Sequence, residues 1–472
     1  MSVEAEGPDL VVAGAGGGLV AALRAAELGL SVLVVERNEH FAAGNNTSMS
    51  TAMIPGAGSR WQREEGIEDS VDTFIGDVQA KTHGEADPVV TRALAEVSAP
   101  LVEWMADSLR VPLTVVTDFH YPGHSVQRCH SIEGRAGRTL LQHLLRRVRE
   151  SELIDLLVPA RLTDVTVGPE GVEAVTIEGP CGSERIPTRA VVLATNGFGA
   201  DADLVGRHIP EISEAIYHGS EGSTGDALRI GERLGAATGF LDAYQGHAAL
   251  AMPAATLAGW ATVMHGGFLV DRTGRRFGDE TTGYSEYAAQ VLKNAQDGEA
   301  WIVLDERIHE ACLEFQDYRD VVSSGGVRWA STVDELADAI GVDRLGLGET
   351  LAQAGGGVNG AEDPFGRRTW STPLTPPFGA VFVKPALFHT QGGLQVDEHA
   401  RVTGTDGTSI PGLYAAGGAA VGISGHGAGG YLAGNGLLSA FGLSYLAAND
   451  AAATRHTQQV LGRELPEALE EG

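Results

Sequence analysis

The chain has few cysteines and no long hydrophobic run. Its three cysteines, Cys129, Cys181 and Cys312, stand far apart in a sequence of 472 residues. This spacing offers no Cys-x-x-Cys redox pair, no haem attachment motif and no iron–sulfur cluster motif, so we interpret them as structural thiols in a reducing compartment. No run of about 18 apolar residues occurs, and MSVEAEGP at the N-terminus lacks the features of a signal peptide. These absences predict a cytoplasmic protein without a membrane span.

Basic residues are also scarce relative to acidic ones. The chain has 33 Lys and Arg against 62 Asp and Glu, which gives a formal net charge of −29 at pH 7. Such a chain repels phosphate backbones and anionic lipid surfaces, so we expect neither nucleic acid nor membrane as a partner. The histidines show no metal-ligand spacing and no carboxylate cluster accompanies them, so no metal site is expected.

Glycine, by contrast, is abundant, and its 64 residues concentrate near the two ends of the chain. The first block, DLVVAGAGGGLVAALRAAELGLSVLVVE, runs from Asp9 to Glu36 as a buried strand, a glycine turn, a helix and a second strand that ends in an acid. The turn of such a βαβ unit faces a pyrophosphate, and the acid binds ribose hydroxyls. Leu19 stands where the usual third glycine is expected. The later blocks HTQGGL, PGLYAAGG and GHGAGGYLAGNGLL favour a longer cofactor, so the pattern predicts FAD.

The length of the chain favours two domains. Residues 1–239 and 366–472 carry the glycine blocks, and we predict that together they form one FAD-binding domain. Residues 240–365 have a different texture of mixed helices and short strands, which predicts an inserted capping domain that covers the substrate. The predicted fold class is α/β, a Rossmann-like FAD-binding domain interrupted by an α+β capping domain.

Several further blocks follow in order: HFAAGNNTSMSTAMIP, AVVLATNGFG, STGDALRIGERLGA, FLVDRTGRRFGDE, PPFGAVFVKP and GLYAAGG. With these blocks the chain resembles the flavoprotein family of fumarate reductases and 3-ketosteroid dehydrogenases over nearly its full length. The resemblance implies FAD, bound non-covalently because no histidine stands in GNNTSMS. The flavin contacts that it implies are Gly14, Gly16, Gly17, Glu36, Arg37, Asn46, Thr47, Ser48, Ala194, Thr195, Asn196, Asp226, Gly417, Asn435, Gly436, Leu437 and Leu438.

Two cofactor positions depart from the family pattern. Gly418 stands where the family has an acid after GLYAAG, and Asn196 stands where it has the second glycine of the AVVLAT turn. The resemblance therefore implies one hydroxyl contact fewer. It also implies that the last helix directs its N-terminal amides at the flavin, where they stabilise the anionic reduced form.

The catalytic positions separate the two branches of the family. The arginines of the reductase branch are replaced here by Gly283, His309 and Tyr431, which disfavours fumarate reduction. Tyr284, four residues after Glu280, matches the tyrosine base of the ketosteroid dehydrogenases. A ketone α-C–H is a very weak acid, so a base must be positioned while the carbonyl oxygen is polarised. Tyr431, with the backbone amides up to Gly430, is the candidate that binds this oxygen.

Two further side chains are candidate substrate ligands. His389 matches a substrate-binding histidine of the reductases, which favours a substrate with an acidic or polar end. Arg128, in YPGHSVQRCH, could pair with a substrate carboxylate. Structural alternatives stay open for every candidate: a core tyrosine for Tyr284, a ring packed on the flavin for Tyr431, a supporting flavin contact for His389 and a salt bridge for Arg128.

The sequence thus predicts an FAD-dependent desaturase that acts beside a ring ketone, such as a 3-ketosteroid or an oxocyclohexanecarboxylate. The electron acceptor is O2 or a carrier. An alternative enzyme is an alkene reductase of the fumarate or urocanate type. A third interpretation, from another class, is a flavin-binding protein without turnover. The missing Cys-x-x-Cys excludes a disulfide reductase, and the lack of a second nucleotide motif disfavours NAD(P)H oxidation.

Overall fold

The structure is a computed structural model that describes residues 7–118, 121, 123–370 and 372–470, with side chains to residue 457. The strands, in chain order, are β1 (Leu10–Ala13), β2 (Val32–Val35), β3 (Ile54–Pro55), β4 (Thr114–Val115), β5 (Cys129–Ser131), β6 (Ile154–Leu157), β7 (Arg161–Gly168), β8 (Gly171–Gly179), β9 (Gly182–Pro187), β10 (Val191–Leu193), β11 (Ile216–Tyr217), β12 (Thr238–Gly239), β13 (Tyr244–Ala251), β14 (Thr256–Leu257), β15 (Phe268–Val270), β16 (Ala300–Asp305), β17 (Val327–Ala330), β18 (Phe378–Thr390), β19 (Gly393–Leu394), β20 (Arg401–Thr403) and β21 (Ser409–Ala415).

The helices of the described residues are, in chain order, α1 (Gly18–Glu27), α2 (Phe41–Gly44), α3 (Asn46–Met49), α4 (Arg60–Glu64), α5 (Val71–Lys81), α6 (Pro88–Asp107), α7 (Gly137–Arg149), α8 (Ala202–His208), α9 (Asp226–Arg233), α10 (Ala261–Met264), α11 (Tyr284–Asn294), α12 (Glu306–Cys312), α13 (Gln316–Ser323), α14 (Val333–Ile340), α15 (Arg344–Val358) and α16 (Asn435–Glu470). Short 3-10 turns occur at Pro210–Ile212, Glu280–Thr282, Gln296–Gly298 and Gly417–Ala419.

The chain divides into two units. The first unit comprises Met1–Leu204, Gly219–Ala243 and His389–Gly472. The second unit comprises Val205–His218 and Tyr244–Phe388. The first unit contains the glycine blocks that the sequence assigns to FAD.

The first unit is built on a six-stranded sheet in the order β20-β21-β10-β1-β2-β6. β1 pairs in parallel with β10 and β2, β10 with β21, and β2 with β6, whereas β20 is antiparallel to β21. All residues of β1 and β10 are apolar and buried, as in strands that are covered on both faces. Because these strands are parallel, their carboxyl ends meet at one edge, where ligands bind in open α/β sheets.

Helix α6 of the first unit shows how local sequence sets the helix ends. The side chain of Asp87 accepts hydrogen bonds from the amides of Val89 and Val90, and Pro88 occupies the first helical position, where its missing N–H has no consequence. Val90, Leu94 and the other apolar residues of one face are buried, as the helical spacing predicts.

The second unit is built on a seven-stranded sheet in which β14-β13-β18-β16-β15 are consecutive and β11 and β17 also pair with β18. β18 is antiparallel to β16 and β17 and parallel to β11. Helices α10 to α15 belong to the same unit. This mixture of a largely antiparallel sheet and helices is the α+β character that the sequence predicts for the inserted segment.

The unit boundaries differ from the predicted ones. The second unit begins its main segment at Tyr244 and ends at Phe388, whereas the sequence placed the insertion at residues 240–365. The reason lies in β18, which the sequence assigned to the returning cofactor fold. Its long-range pairing with β16 and β17 makes it a central strand of the second unit.

In the part of the chain that the structure describes, no helix is both long enough and apolar enough to cross a membrane. These described residues also contain no cluster of three or more His, Cys, Asp or Glu side chains that could hold a metal ion.

Candidate active site

The turn between β1 and α1 approaches other backbone so closely that side chains are excluded. Gly14 has φ 108°, and a Cβ there would lie 2.3 Å from the carbonyl oxygen of Ala194. A Cβ on Gly17 would lie 2.8 Å from the Cβ of Ala440, and one on Gly18 would lie 2.6 Å from Cγ1 of Val12. Gly18 therefore allows the close packing of α1 on β1 that the third glycine of the motif usually allows. In this chain that glycine stands one residue earlier than residue 19, where the usual spacing places it.

Glu36, which the sequence predicts to bind ribose hydroxyls, lies beside this turn. Its Oε2 accepts the amide of Ala15 and its Oε1 accepts the amide of Asn38, each at 2.8 Å. Asn45, which the sequence analysis missed, donates from Nδ2 to the carbonyl oxygen of Ala15 at 3.2 Å. Asn45 also caps α3, where its side chain accepts the amide of Ser48. The segment that contains Asn46, Thr47 and Ser48 is thus fixed against the glycine turn.

The turn after β10 resolves the two departures from the family pattern. Asn196 has φ 65°, and a Cβ on Gly418 would lie 2.4 Å from Asn196 Oδ1 and 2.8 Å from the amide nitrogen of Gly197. The Asn196 side chain therefore occupies the space that a side chain at residue 418 would need. The two residues that depart from the family pattern are therefore neighbours in space. Gly417, with φ 63°, begins the 3-10 turn that follows β21 and precedes Gly418 directly.

The first unit has the features that FAD requires. Thr195 Oγ1 is buried and has no hydrogen-bond partner among the described residues. The glycines of the β1–α1 turn leave a backbone surface without side chains, and the N-termini of α1 and α16 carry amides without acceptors inside the helix. Diphosphate and flavin oxygens are suited to these donors. The residues present therefore fit FAD.

The N-terminus of α16 forms a buried polar network. Asn435 Nδ2 donates to Oε1 of Gln391 at 3.0 Å, and Asn435 Oδ1 accepts the hydroxyl of Ser439 at 3.0 Å. A Cβ on Gly436 would lie 2.9 Å from the imidazole of His389, so this position requires glycine. Leu437 and Leu438 continue the helix as buried residues. Gln391 is a further residue of this network that the sequence analysis did not identify.

His389 is a neutral imidazole at physiological pH, because burial lowers its pKa to about 4. The side-chain amide nitrogen of Gln391, Nε2, lies 2.8 Å from Nδ1 of His389 and 3.3 Å from Nε2 of His389. These two distances place it over the imidazole ring rather than in its plane. Tyr431 is buried, and its ring centre lies 6.1 Å from that of His389. Gly430 leaves no room for a side chain, because a Cβ would lie 1.7 Å from the carbonyl oxygen of Ser424. The structure thus brings together His389, Tyr431 and the start of α16.

Arg128 is fully buried and has internal partners for its charge. Its Nε and Nη2 both donate to Asp69 at 3.0 Å, and Nη1 donates to Asp77 and lies 3.1 Å from His124. The guanidinium also lies 4.7 Å from the ring centre of Phe74. These contacts are the structural salt bridge that the sequence left open, so we do not include Arg128 in the proposed substrate site.

Asp226, an expected flavin contact, is likewise paired with basic side chains. Arg161 donates to its two carboxylate oxygens at 2.9 and 2.7 Å, and Arg37 lies 3.4 Å away. Asp226 stands at the first position of α9, where a negative charge is favourable. A cofactor contact from Asp226 stays a proposal.

In the second unit, Tyr284 is the first residue of α11. Gly283 precedes it with φ 135°, and a Cβ there would lie 2.5 Å from Glu286, so the position requires glycine. The Tyr284 ring stacks on the ring of His247, with centres 4.8 Å apart and planes inclined by 23°. Tyr284 is half-buried, whereas His247 is buried.

His247 has a defined protonation state. Burial lowers its pKa to about 3, so the imidazole is neutral. Its Nδ1 accepts the amide of Ala249 at 3.1 Å, which leaves the single ring proton on Nε2. The sequence analysis missed this residue. The available signal was a histidine inside β13, a strand whose eight residues are all buried.

Phe388 completes a row of rings with His247 and Tyr284. The ring centres of Phe388 and His247 lie 5.4 Å apart with planes inclined by 21°. His218 packs against Phe388 at 5.2 Å, and Trp260 meets His247 edge-on at 6.1 Å. Phe388 and Tyr284, the outer members of this row, are half-buried, and His247 between them is buried. We call the row of these three rings the aromatic face.

A buried ionic cluster fixes the segment before Tyr284. Arg276 donates to both oxygens of Glu280, at 2.9 and 2.8 Å, and Arg367 donates to Oε2 at 3.2 Å. Arg276 also pairs with Asp363 at 2.6 Å. Glu280 is completely buried and begins the 3-10 turn that leads to Tyr284. The cluster therefore positions the start of α11.

His309, which stands near the position of a reductase arginine, packs among aromatic residues of the second unit. His309 Nδ1 lies 3.0 Å from the hydroxyl of Tyr318, and its ring packs edge-on against Trp329. Nothing in its surroundings links it to the row of rings around His247.

A parallel sheet with side-chain-free turns at its carboxyl edge is the architecture of a dinucleotide-binding domain. Residues 9–437 match the FAD binding domain family, and the chain belongs to this family. The protein is therefore an FAD-dependent oxidoreductase. The fold class, the family and the cofactor predicted from the sequence are confirmed.

The similar proteins of known activity are mainly reductases. The chain is 30% identical over 454 residues to the NADH:fumarate oxidoreductase of Klebsiella pneumoniae, an alignment that covers 94% of this chain and 47% of that protein. It thus spans about half the length of this relative. It is 28% identical to a cytochrome-type fumarate reductase of Shewanella frigidimarina, with 94% and 77% covered. The urocanate reductase of Eggerthella lenta is 26% identical, with 87% and 69% covered.

Solved structures of both branches share the fold. The open conformation of a flavocytochrome c3 fumarate reductase superposes with a TM-score of 0.80 at 26% identity, covering 96% of this chain and 79% of that one. The 3-ketosteroid Δ1-dehydrogenase of Sterolibacterium denitrificans gives a TM-score of 0.77 at 20% identity, covering 95% and 99%. The second likeness is one of fold.

Proposed function

We propose that the protein desaturates a cyclic ketone, such as a 3-ketosteroid or 4-oxocyclohexanecarboxylate, at the carbon–carbon bond beside the carbonyl. The observation that carries this proposal is the pair formed by Tyr284 and His247. When bound, FAD supplies the two-electron acceptor for the β-hydrogen. The residues of the chain supply the base and a group that polarises the carbonyl.

Tyr284 is suited to the role of base. A free tyrosine has a pKa of about 10, so its phenolate needs local stabilisation. The N-terminus of α11, where Tyr284 stands, favours a negative charge by about 0.3–1 kcal/mol. The phenolate oxygen accepts the α-proton, and the electron pair of that C–H bond moves towards the carbonyl.

His247 is suited to polarise the carbonyl oxygen. Its Nε2–H is a donor, because Nδ1 is occupied by the amide of Ala249. A neutral imidazole can strengthen its hydrogen bond as negative charge develops on the ketone oxygen, without first losing a charge of its own. His389 and Tyr431 of the first unit remain candidates for a second contact with the substrate.

The aromatic face favours a ring-shaped substrate. Phe388, His247 and Tyr284 lie in one row with nearly parallel neighbouring planes. A flat face of this kind offers apolar area to a saturated or partly unsaturated ring. A neutral donor among the rings suits a ketone better than a lone carboxylate, which would favour a cation.

A second candidate is an alkene reductase, which runs the same bond chemistry in the opposite direction. It is supported by the fumarate and urocanate reductases among the similar proteins. Tyr284 would then donate the proton. For the desaturase, we propose that O2 or a separate electron carrier reoxidises the reduced flavin.

Anaerobic bleaching of the flavin band tests the proposal. The oxidised holoenzyme is mixed with cyclohexanone, 4-oxocyclohexanecarboxylate, a saturated 3-ketosteroid or succinate. We expect bleaching by a cyclic ketone and its loss in Tyr284→Phe with FAD still bound. Tyr445→Phe, which changes a tyrosine packed on Trp104 in the first unit, is the matched control. Failure of every ketone, together with reoxidation of the reduced enzyme by fumarate or urocanate, would establish the reductase instead.

A further inference from the structure

Residues 219–225, GSEGSTG, lie at the carboxyl edge of the parallel sheet in the first unit, and we call them the strap. The chain enters the strap after His218 and leaves it at α9. Ser223, Thr224 and Gly225 begin the block STGDALRIGERLGA, in which the sequence assigned a cofactor role only to the neighbouring Asp226. Their hydrogen bonds connect three separate segments of the cofactor fold.

One side of the strap is bonded to the segments that follow β2. The amide of Ser220 donates to Oδ1 of Asn46 at 2.8 Å. Arg37 Nη1 donates to the hydroxyl oxygen of Thr224 at 2.9 Å and to the carbonyl oxygen of Gly222 at 3.2 Å.

The other side of the strap is bonded to the turn that follows β10. Asn196 Nδ2 donates to Oγ of Ser223 at 2.9 Å, and the amide of Ala200 donates to the Ser223 carbonyl oxygen at 2.9 Å. The amide of Gly225 donates to the carbonyl oxygen of Gly197 at 3.0 Å.

The sheet order gives these bonds their meaning. β1 lies between β10 and β2, and the glycine turn of the dinucleotide site follows β1. A segment bonded on both sides of β1 at the carboxyl edge must pass the opening of that turn. Such an edge is where a dinucleotide enters an open α/β sheet.

We propose that the strap closes over the dinucleotide part of bound FAD and limits the rate at which the cofactor leaves. Its two hydroxyl anchors, Ser223 and Thr224, are then positioning residues for the cofactor. FAD release requires both anchors to break. This role is separate from the proposed ketone chemistry, and no substrate is needed to test it.

The test is the exchange of bound FAD for isotopically labelled FAD, followed by mass spectrometry of the holoenzyme. Ser223→Ala removes the side-chain acceptor for Asn196. With little change of shape, Thr224→Val removes the hydroxyl that accepts from Arg37 and donates to Asp226 at 3.1 Å. Arg37 keeps its bond to the carbonyl oxygen of Gly222. Since a typical hydrogen bond contributes modestly, we expect each variant to exchange roughly three- to tenfold faster than the wild type. Ser183→Ala, an exposed serine of β9, should exchange like the wild type.

A wild-type exchange rate in both strap variants would overturn the proposal. If a variant loses thermal stability, hydrogen–deuterium exchange of the wild-type strap decides instead. Protection of residues 219–225 that rises when FAD binds supports the strap as a closure. Equal protection in apoprotein and holoprotein refutes it.

Discussion

Replacement of Arg128 by methionine separates a structural role from a substrate-binding one. The variant removes a buried cation but leaves Asp69, with a completely buried side chain, and Asp77, which is 13% exposed. Loss of one partner from a buried ion pair typically costs about 3–5 kcal/mol of unfolding free energy, because an uncompensated charge stays inside. We expect a loss of this size for Arg128→Met at pH 7, measured by urea unfolding of the FAD-saturated protein.

The triple variant Arg128→Met, Asp69→Asn, Asp77→Asn is the matched comparison, because it removes all three charges. Buried ion clusters replaced by neutral groups are often neutral or stabilising, so we expect most of the lost free energy to return. The affinity for a substrate ketone should not change in either variant. If Arg128→Met has the same unfolding free energy as the wild type but binds the substrate ketone tenfold more weakly, this reasoning is refuted and Arg128 is a substrate ligand.

The pH dependence provides a second check on the same cluster. Burial acts to raise the pKa of Asp77, but hydrogen bonds from Ser125 and Arg128 hold it below its ordinary value. Its contribution to stability is therefore present above the unfolded-state pKa of about 4 and is lost as the pH falls through the lower folded-state value. Without Arg128, the burial of Asp77 acts to raise its pKa with one stabilising hydrogen bond fewer. The difference in stability between wild type and Arg128→Met should thus narrow as the pH falls from about 7 to about 5.

Three further outcomes follow from the geometry. Gly418→Ala should weaken FAD binding roughly tenfold, and it should weaken it less when Asn196 is also changed to Gly. Flavin fluorescence titrations of the wild type, the two single variants and the double variant measure this coupling. Strictly additive losses of affinity would contradict steric contact between the two residues. Because the pKa of His389 is about 4, the dissociation constant of a ketone should stay flat from about pH 6 to 8.5, and a transition near the ordinary histidine value of about 6.5 would show that this ring is charged. Glu280→Gln should slow flavin bleaching by the ketone with FAD still bound, because Arg276 and Arg367 lose the carboxylate that they share. An unchanged bleaching rate would show that Glu280 does not position Tyr284.

The cofactor half of the molecule was accessible from the sequence because its signals are local. A buried strand, a glycine turn, a helix and a second strand with Glu36 at its end lie within one short segment, and each element is found in the structure. The role of Gly18 was not accessible. It depends on how α1 contacts Val12, which glycine spacing does not specify.

The second unit and the catalytic neighbourhood depend on long-range pairing. PPFGAVFVKP has the same apolar pattern whether it belongs to a cofactor sheet or to a capping sheet, and only its pairing with β16 and β17 decides. His247 likewise could not be predicted as a site residue from the sequence, because an isolated histidine in an apolar strand is typical of a core residue. Its importance arises from Tyr284, which comes from a different element 37 residues later, by their positions in the chain.

Small residues set the position of α1, and this has a consequence for how the enzyme can change. Gly18, Ala21, Ala22 and Ala25 are all fully buried on this helix, and Gly17 meets Ala440 of α16 at its start. The close approach of this helix to β1 and α16 therefore depends on small residues, while Leu19, Val20 and Leu23 fill the rest of its buried surface. An added methyl group at residue 18 would lie 2.6 Å from Cγ1 of Val12, so either the Val12 side chain or the amide end of the helix must shift. Substitutions that leave every polar contact intact could in this way tune cofactor affinity from inside the core.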